Sequence, residues 1–334
     1  MLQLYKPIDH DIFKLQKILE YLVLSVWCEA DKQRCRSKMN EDLIALSDDY
    51  QWLKTKINHV YKQCKSLNQD ERTLIRNAFL TNNNIEMVCN GSTKLITLDE
   101  MPKVVNDDMK PLLVDFYETL LERAKVPGTK KDYYKKLIKA NDFKYCPACG
   151  LTLFESEDSK YREAFDHYLP KSDYPFTSVN FKNLVPLCKK CNSDRKKVEN
   201  PVEGMRKAFY PFSNTQHDIP IKLEMNKSKA LDKLKREDLT ICFSGDTEKL
   251  DTWDILFGVK ERYNDHIREE LKTRSRVLKT KHRQNLKRNS TSTFIETIDD
   301  EIETCNMEKY SRTNFLYIAI LEYFKSRPDI ININ

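Results

Sequence analysis

The residues best suited to chemistry are concentrated between positions 146 and 197 of this 334-residue chain. Two CxxC pairs bracket most of that segment, and an Asp166-His167 pair lies between them; the cysteines are Cys146, Cys149, Cys188 and Cys191. Each CxxC turn can bring two sulfur atoms to one ion, so the four thiolates predict a tetrahedral zinc site. Such a site is closed to water, and its predicted role is therefore structural.

The two cysteine pairs are unusually far apart for a zinc ribbon. The 38 residues between Cys149 and Cys188 exceed the usual spacing of roughly 15 to 20 residues, which predicts a folded insertion inside the zinc site. The alternative is four unrelated buried cysteines. Asp166 and His167 lie in the insertion, and Asn192 follows the second pair. Carboxylate and amide oxygens suit Mg²⁺ or Mn²⁺, and a neutral histidine can accept a proton from water.

The letters DHYLPKS, NL and LCKKCN in this segment, followed by a basic run, resemble the HNH (ββα-metal) endonuclease family in its form with a four-cysteine zinc site. The resemblance implies two short antiparallel strands and a helix that together hold one divalent ion. It implies that Asp166 and Asn192 are the metal ligands, that His167 is the general base, and that Asn183 braces the loop and the imidazole. Many members have histidine at the position of Asn192.

The charged neighbours of these residues are candidates for binding phosphate groups on either side of the cleaved bond. They are Lys171, Lys189, Lys190, Arg195, Lys196 and Lys197. A second basic run at 272–288 contains eight Lys or Arg and no acid, and it is predicted to be helical. No residue is identified as a reader of base edges. DNA is favoured over RNA as the substrate, and RNA stays open.

The rest of the chain predicts an α+β fold that is predominantly helical. We divide it into residues 1–140, a helical region for scaffolding or for contacts with substrate or a partner; 141–200, the zinc-stapled nuclease module; and 201–334, a mostly helical region with the basic helix. Local signals support the helical flanks. Asn68 with Glu71, and Thr293 with Glu296, have the spacing of a capping box, the pattern that begins a helix.

Composition excludes several other classes of protein. The net charge is +6 and there are only six glycines, and neither a GxGxxG nor a GxxxxGK[ST] phosphate-binding motif occurs. The longest apolar runs are far shorter than the roughly 20 residues that span a bilayer. The amino terminus does not resemble a secretion signal. We therefore expect a cytoplasmic protein with reduced cysteines and no membrane contact.

Two functions of different classes follow from these observations. The first is a metal-dependent HNH endonuclease with structural zinc and catalytic Mg²⁺ or Mn²⁺. Its resemblance to HNH proteins with long helical flanks implies an effector in bacterial anti-phage defence with an ATPase as partner. The second is a zinc-stapled subunit that binds nucleic acid or assembles with a partner without catalysis.

Overall fold

The computed structural model describes residues 1–226, 228–288 and 291–328. As predicted, the fold is α+β and predominantly helical. The α-helices within those ranges are α1 (Phe13–Tyr21), α2 (Glu41–Asp49), α3 (Gln51–Cys64), α4 (Gln69–Asn82), α5 (Ile85–Cys89), α6 (Lys110–Glu118), α7 (Lys130–Asn141), α8 (Thr247–Phe257), α9 (Val259–Lys287), α10 (Phe294–Met307) and α11 (Asn314–Ser326). The strands are β1 (Phe165–His167), β2 (Leu184–Pro186), β3 (Ile221–Met225) and β4 (Leu239–Phe243).

The chain forms two compact units, each assembled from separate stretches of sequence. The first unit contains Met1–Gln3, Phe143–Phe154 and Thr215–Asn334, and the second contains Leu4–Asp142 and Glu155–Asn214. The three regions defined from the sequence stay a prediction about how the chain is organised for function.

In the second unit, β1 and β2 form an antiparallel hairpin. Asp166 is paired with Val185, and His167 with Leu184. A π-helical segment, Lys190–Lys196, follows β2. Two strands and a helical segment thus occur in the order that the HNH resemblance implies, and the assignment to that family's fold stays a proposal.

An aromatic cluster packs against this hairpin. The ring of Tyr133 on α7 lies 4.8 Å from the ring of Phe181 and 5.9 Å from that of Phe165. The Phe13 ring on α1 meets Tyr133 edge-on. Tyr133, Phe165 and Phe181 are almost fully buried. Aromatic pairs of this kind stabilise a core by more than their buried area alone would. The cluster fixes the strand that carries Asp166 and His167.

In the first unit, the β3–β4 hairpin is antiparallel and the long helix α9 has one apolar stripe. Tyr263, Ile267, Leu271 and Leu278 recur at intervals of one or two helical turns and are fully buried, as expected for an amphipathic helix. The basic residues predicted at 272–288 lie on this helix, except Arg288, which caps its C-terminal end. No helix in the described ranges combines the length and the apolar character required to cross a membrane.

Local sequence signals located the starts of two helices correctly. Both predicted capping boxes form, at Asn68–Glu71 and Thr293–Glu296. The sequence did not predict β3, because its alternating Lys222 and Glu224 look like a polar loop until β4 pairs with it.

Candidate functional site

The first cysteine pair lies in a tight turn, Cys146–Gly150, within the first unit. The amides of Cys149 and Gly150 both donate to the Cys146 carbonyl, at 3.2 and 2.7 Å. Gly150 has φ +67°, and a Cβ there would lie 1.7 Å from the Met1 amine nitrogen. The turn therefore requires glycine at this position, because any side chain would collide with the chain's own amino terminus.

Side chains from α8 and α9 hold the backbone of this turn. Trp253 Nε1 donates to the Ala148 carbonyl at 2.7 Å, and the Tyr263 hydroxyl donates to the Cys149 carbonyl at 2.8 Å. The Arg262 guanidinium lies 3.3 Å from Cys149 Sγ. A cation beside a thiolate disperses its charge, which is a common role for residues around a metal's ligands. The turn is thus rigid and prepared for a negatively charged sulfur.

The four predicted zinc ligands come together. The sulfur atoms of the four residues lie within 4.8 Å of one another, and all four side chains are buried: Cys146, Cys149, Cys188 and Cys191. A buried set of four thiolates fits zinc better than any harder cation. Outside this group, burial raises the pKa of Cys28 to about 11 and that of Cys64 to about 12. They remain neutral thiols.

His167 lies at the end of β1 with its ring held in one orientation. Its Nε2 is 2.9 Å from the Ser178 carbonyl oxygen. A carbonyl only accepts hydrogen bonds, so Nε2 carries the proton and Nδ1 of the neutral ring keeps a free lone pair. Burial lowers the pKa of His167 to about 3, and the cations of Lys171, Lys196 and Lys130 add to this effect. The ring is therefore a neutral base at pH 7.

Asp166, the neighbour of His167, is buried beside a buried cation. Lys196 Nζ lies 3.2 Å from both carboxylate oxygens of Asp166 and also donates to the His167 carbonyl at 3.0 Å. Burial raises the pKa of Asp166, and Lys196 opposes that rise. Among the described residues, Oδ2 of Asp166 accepts no hydrogen bond, although the Lys196 ammonium lies 3.2 Å away. A buried carboxylate oxygen without a hydrogen bond fits a role as a metal ligand.

Lys196 therefore departs from its predicted role. The sequence suggested that it holds a phosphate at the surface, but its side chain is 0% exposed. Its position explains the burial: Lys196 follows Asn192 by four residues, so both lie on the same side of the helical segment that packs on β1. Asn192 Nδ2 lies 3.5 Å from the Ala164 carbonyl, beside the start of β1. Lys196 is thus paired with Asp166 inside the protein.

Asn183 braces the loop between the two strands. Its Oδ1 accepts from the Leu169 amide at 2.7 Å, while its Nδ2 donates to the Leu169 carbonyl and to Thr177 Oγ1 at 2.9 and 3.0 Å. The amide is fully buried and its hydrogen-bonding capacity is used within the loop. The neighbouring Asn180 donates to Asn83, the residue that follows α4, at 2.9 Å. This loop carries Ser178, and its bracing fixes the carbonyl that orients His167.

The other predicted phosphate-binding residues lie nearer the surface than Lys196. Lys189, Lys190 and Lys197 are exposed, and Lys190 pairs with Asp194 at 3.4 Å. Arg195 and Lys171 are half-buried. The Lys171 ammonium lies 5.1 Å from the centre of the Tyr117 ring, a contact that the sequence did not reveal.

Tyr117 on α6 and Lys130 on α7 are residues of the site that sequence reasoning missed. The Tyr117 ring meets the His167 ring edge-on, with 4.4 Å between their centroids. The ammonium groups of Lys130 and Lys171 lie 4.6 and 5.1 Å from the centre of the Tyr117 ring. These residues lie 37 to 50 positions from His167. No sequence motif links Tyr117 or Lys130 to His167.

Two known proteins are similar to part of this chain. The Septu protein PtuB of Bacillus thuringiensis is 28% identical over 160 residues, which are 44% of this chain and 60% of PtuB. Protein ea31 of Escherichia phage lambda is 31% identical over 115 residues, which are 34% of this chain and 36% of ea31. The chain thus spans less than two thirds of either relative. No protein-family profile matches the chain, and neither does any solved structure.

Proposed function

We propose that this protein is a metal-dependent HNH endonuclease that hydrolyses phosphodiester bonds, with DNA favoured over RNA. The observation that carries the proposal is the fixed, neutral imidazole of His167, which follows the buried Asp166 on the same strand. A strongly perturbed base beside a perturbed acid is typical of an active site.

In this proposal His167 Nδ1 takes a proton from water as the water oxygen bonds to phosphorus. The bond between phosphorus and the leaving 3′ oxygen then breaks, and that oxygen takes a proton from solvent. The Ser178 carbonyl holds the ring in place during the transfer. A Mg²⁺ or Mn²⁺ ion, when bound, would stabilise negative charge on the phosphate and the leaving oxygen. Asp166 and Asn192 are the residues that would hold it.

We also propose that the nuclease is an effector of anti-phage defence that works with a partner, which we expect to be an ATPase. Similarity to the Septu protein PtuB supports a role of this kind and a partner from the same type of system. Because that similarity covers only part of both proteins, the trigger and the partner are tested separately from the chemistry.

The alternative, a zinc-stapled subunit that binds without cutting, draws support from one contact. The ammonium of Lys196 already neutralises Asp166, so this carboxylate has a cation without any metal. If that ion pair is permanent, Asp166 cannot serve a divalent ion. The two functions then differ in whether a divalent metal ion produces cutting at the hairpin.

The test uses the purified full chain with supercoiled plasmid, single-stranded DNA and total RNA, in Mg²⁺, Mn²⁺ or EDTA. Each reaction is repeated with the candidate ATPase partner. We expect metal-dependent cutting of DNA by the parent protein. Cutting of RNA alone would reassign the substrate, and binding without cutting under every condition, with or without partner, would favour the alternative.

A further inference from the structure

We propose that Lys130 and Lys171, whose ammonium groups both lie near the Tyr117 ring, form a seat for a phosphate group of the nucleic-acid backbone next to His167. This inference rests on the proposed function, because the phosphate would lie beside the one that is cleaved. Neither Tyr117 nor Lys130 belongs to the segment that resembles HNH proteins. The seat would therefore be a contribution of the helical flank to substrate binding.

The seat is built around one aromatic ring. Tyr117 packs edge-on against His167 and has the two ammonium groups within 4.6 and 5.1 Å of its centre. Rings attract cations in this range, so Tyr117 holds both lysines close to the catalytic imidazole. A phosphate bound by these ammonium groups would lie close to the ring that contacts His167.

The cations are covered more fully than their acidic partners. The side chains of Lys130 and Lys171 are 12% and 27% exposed, whereas those of their partners Glu122 and Glu118 are 56% and 55% exposed. Ion pairs with such exposed carboxylates contribute little to stability. The fold therefore keeps two partly buried cations near a base for little gain in stability. This arrangement suits a stronger anion, such as a phosphodiester.

The two glutamates would then compete with the substrate. A phosphate oxygen and a glutamate oxygen cannot occupy the same side of an ammonium group, so binding of the nucleic acid must displace Glu118 and Glu122. Removal of either negative charge should leave its lysine free for the phosphate. Ordinary surface lysines in exposed ion pairs do not predict this opposite pair of effects.

The experiment measures binding of a fluorescein-labelled 20-nucleotide single-stranded DNA, and its duplex, by fluorescence anisotropy in EDTA, over a range of salt concentrations. We expect Lys130→Gln and Lys171→Gln each to weaken binding about threefold to tenfold and to lower the salt slope by about 0.7 for the single strand. Glu118→Gln and Glu122→Gln should strengthen binding. Lys54→Gln is the control, since Lys54 also pairs with an acid, Asp48, on the same unit.

A second variant pair separates the ring from the charges. Tyr117→Phe keeps the ring and should preserve binding, whereas Tyr117→Leu removes it and should weaken binding as the lysine variants do. Lysine variants that behave like Lys54→Gln, glutamate variants that weaken binding, or a parent protein that binds neither probe would each overturn the seat. Normal cutting by those lysine variants would support the nuclease activity and contradict the phosphate seat. Altered salt slopes in a protein that never cuts nucleic acid would support the seat and contradict the nuclease activity.

Discussion

The cysteine turn at 146–150 and the hairpin that carries His167 treat their polar groups in opposite ways. In the turn, the carbonyls of Ala148 and Cys149 both receive hydrogen bonds from neighbouring helices. At the hairpin, one buried oxygen of Asp166 accepts no hydrogen bond, and His167 is held neutral by burial among cations. Satisfied groups stabilise a fold, whereas perturbed groups store the free energy that chemistry can use. The difference separates a structural centre from a candidate catalytic one.

The largest expected effect is the loss of zinc from the structural centre. Structural zinc sites contribute on the order of 10 kcal/mol to folding. We expect Cys146→Ser to lose about one zinc per chain and most of its unfolding cooperativity, by metal analysis and thermal denaturation. Cys242→Ser is the matched control, since Cys242 lies outside the four-sulfur group. A Cys146→Ser protein that lacks zinc and is as stable as the parent would contradict a structural role for the four-cysteine site.

The buried pair at the hairpin should give the next largest effect. Lys196→Met leaves the Asp166 carboxylate buried without its cation, which costs about 3–5 kcal/mol of unfolding free energy. The double variant Asp166→Asn with Lys196→Met should regain much of that loss. Lys54→Met, at an exposed pair, should cost less than about 1 kcal/mol. Equal losses in single and double variants, measured by denaturant unfolding, would mean that the pair is not coupled.

Arg262 offers a way to sharpen the account of the zinc centre. Its guanidinium lies 3.3 Å from Cys149 Sγ. Arg262→Met should therefore weaken zinc binding about tenfold or more, as other changes around metal ligands do. Competition with a chromophoric chelator measures the affinity directly. Arg276→Met serves as the control because that residue is exposed on the same helix. Identical zinc affinities in the two variants would show that the contact does not stabilise the thiolate.

The smallest expected effect concerns pH. His167 has a folded pKa of about 3 against an ordinary value of 6.5, so the unfolded state binds its proton first as pH falls. Stability is therefore fully present above about pH 6.5 and is lost below it, by roughly 1–2 kcal/mol at pH 5. His167→Gln should lose less stability between pH 7 and 5. Parallel losses in both proteins would place the acid sensitivity elsewhere.

Sequence reasoning succeeded where the physical cause is local. Capping boxes at Asn68 and Thr293 depend on residues three positions apart, and both form. The cysteine pairs were visible because each CxxC is itself a local turn. The roles given to Asp166, His167, Asn183 and Asn192 came from a family resemblance, and they stay predictions.

The failures came from contacts between distant parts of the chain. The burial of Lys196 depends on β1, which lies about 30 positions earlier. Tyr117 reaches His167 across 50 positions, and Arg262 reaches Cys149 across 113. Neither periodicity nor composition encodes such pairs. The helical spacing between Asn192 and Lys196 was the one signal that could have predicted an inward-facing lysine.

The most direct test of the central claim compares His167→Ala with His59→Ala. His59 is an exposed histidine that pairs with Asp108 in the same unit. If His167 is the general base, its replacement should reduce metal-dependent cleavage about 100-fold to 10,000-fold and leave the zinc content and DNA affinity near those of the parent, while His59→Ala cuts normally. Cleavage by His167→Ala at the rate of His59→Ala would contradict the account.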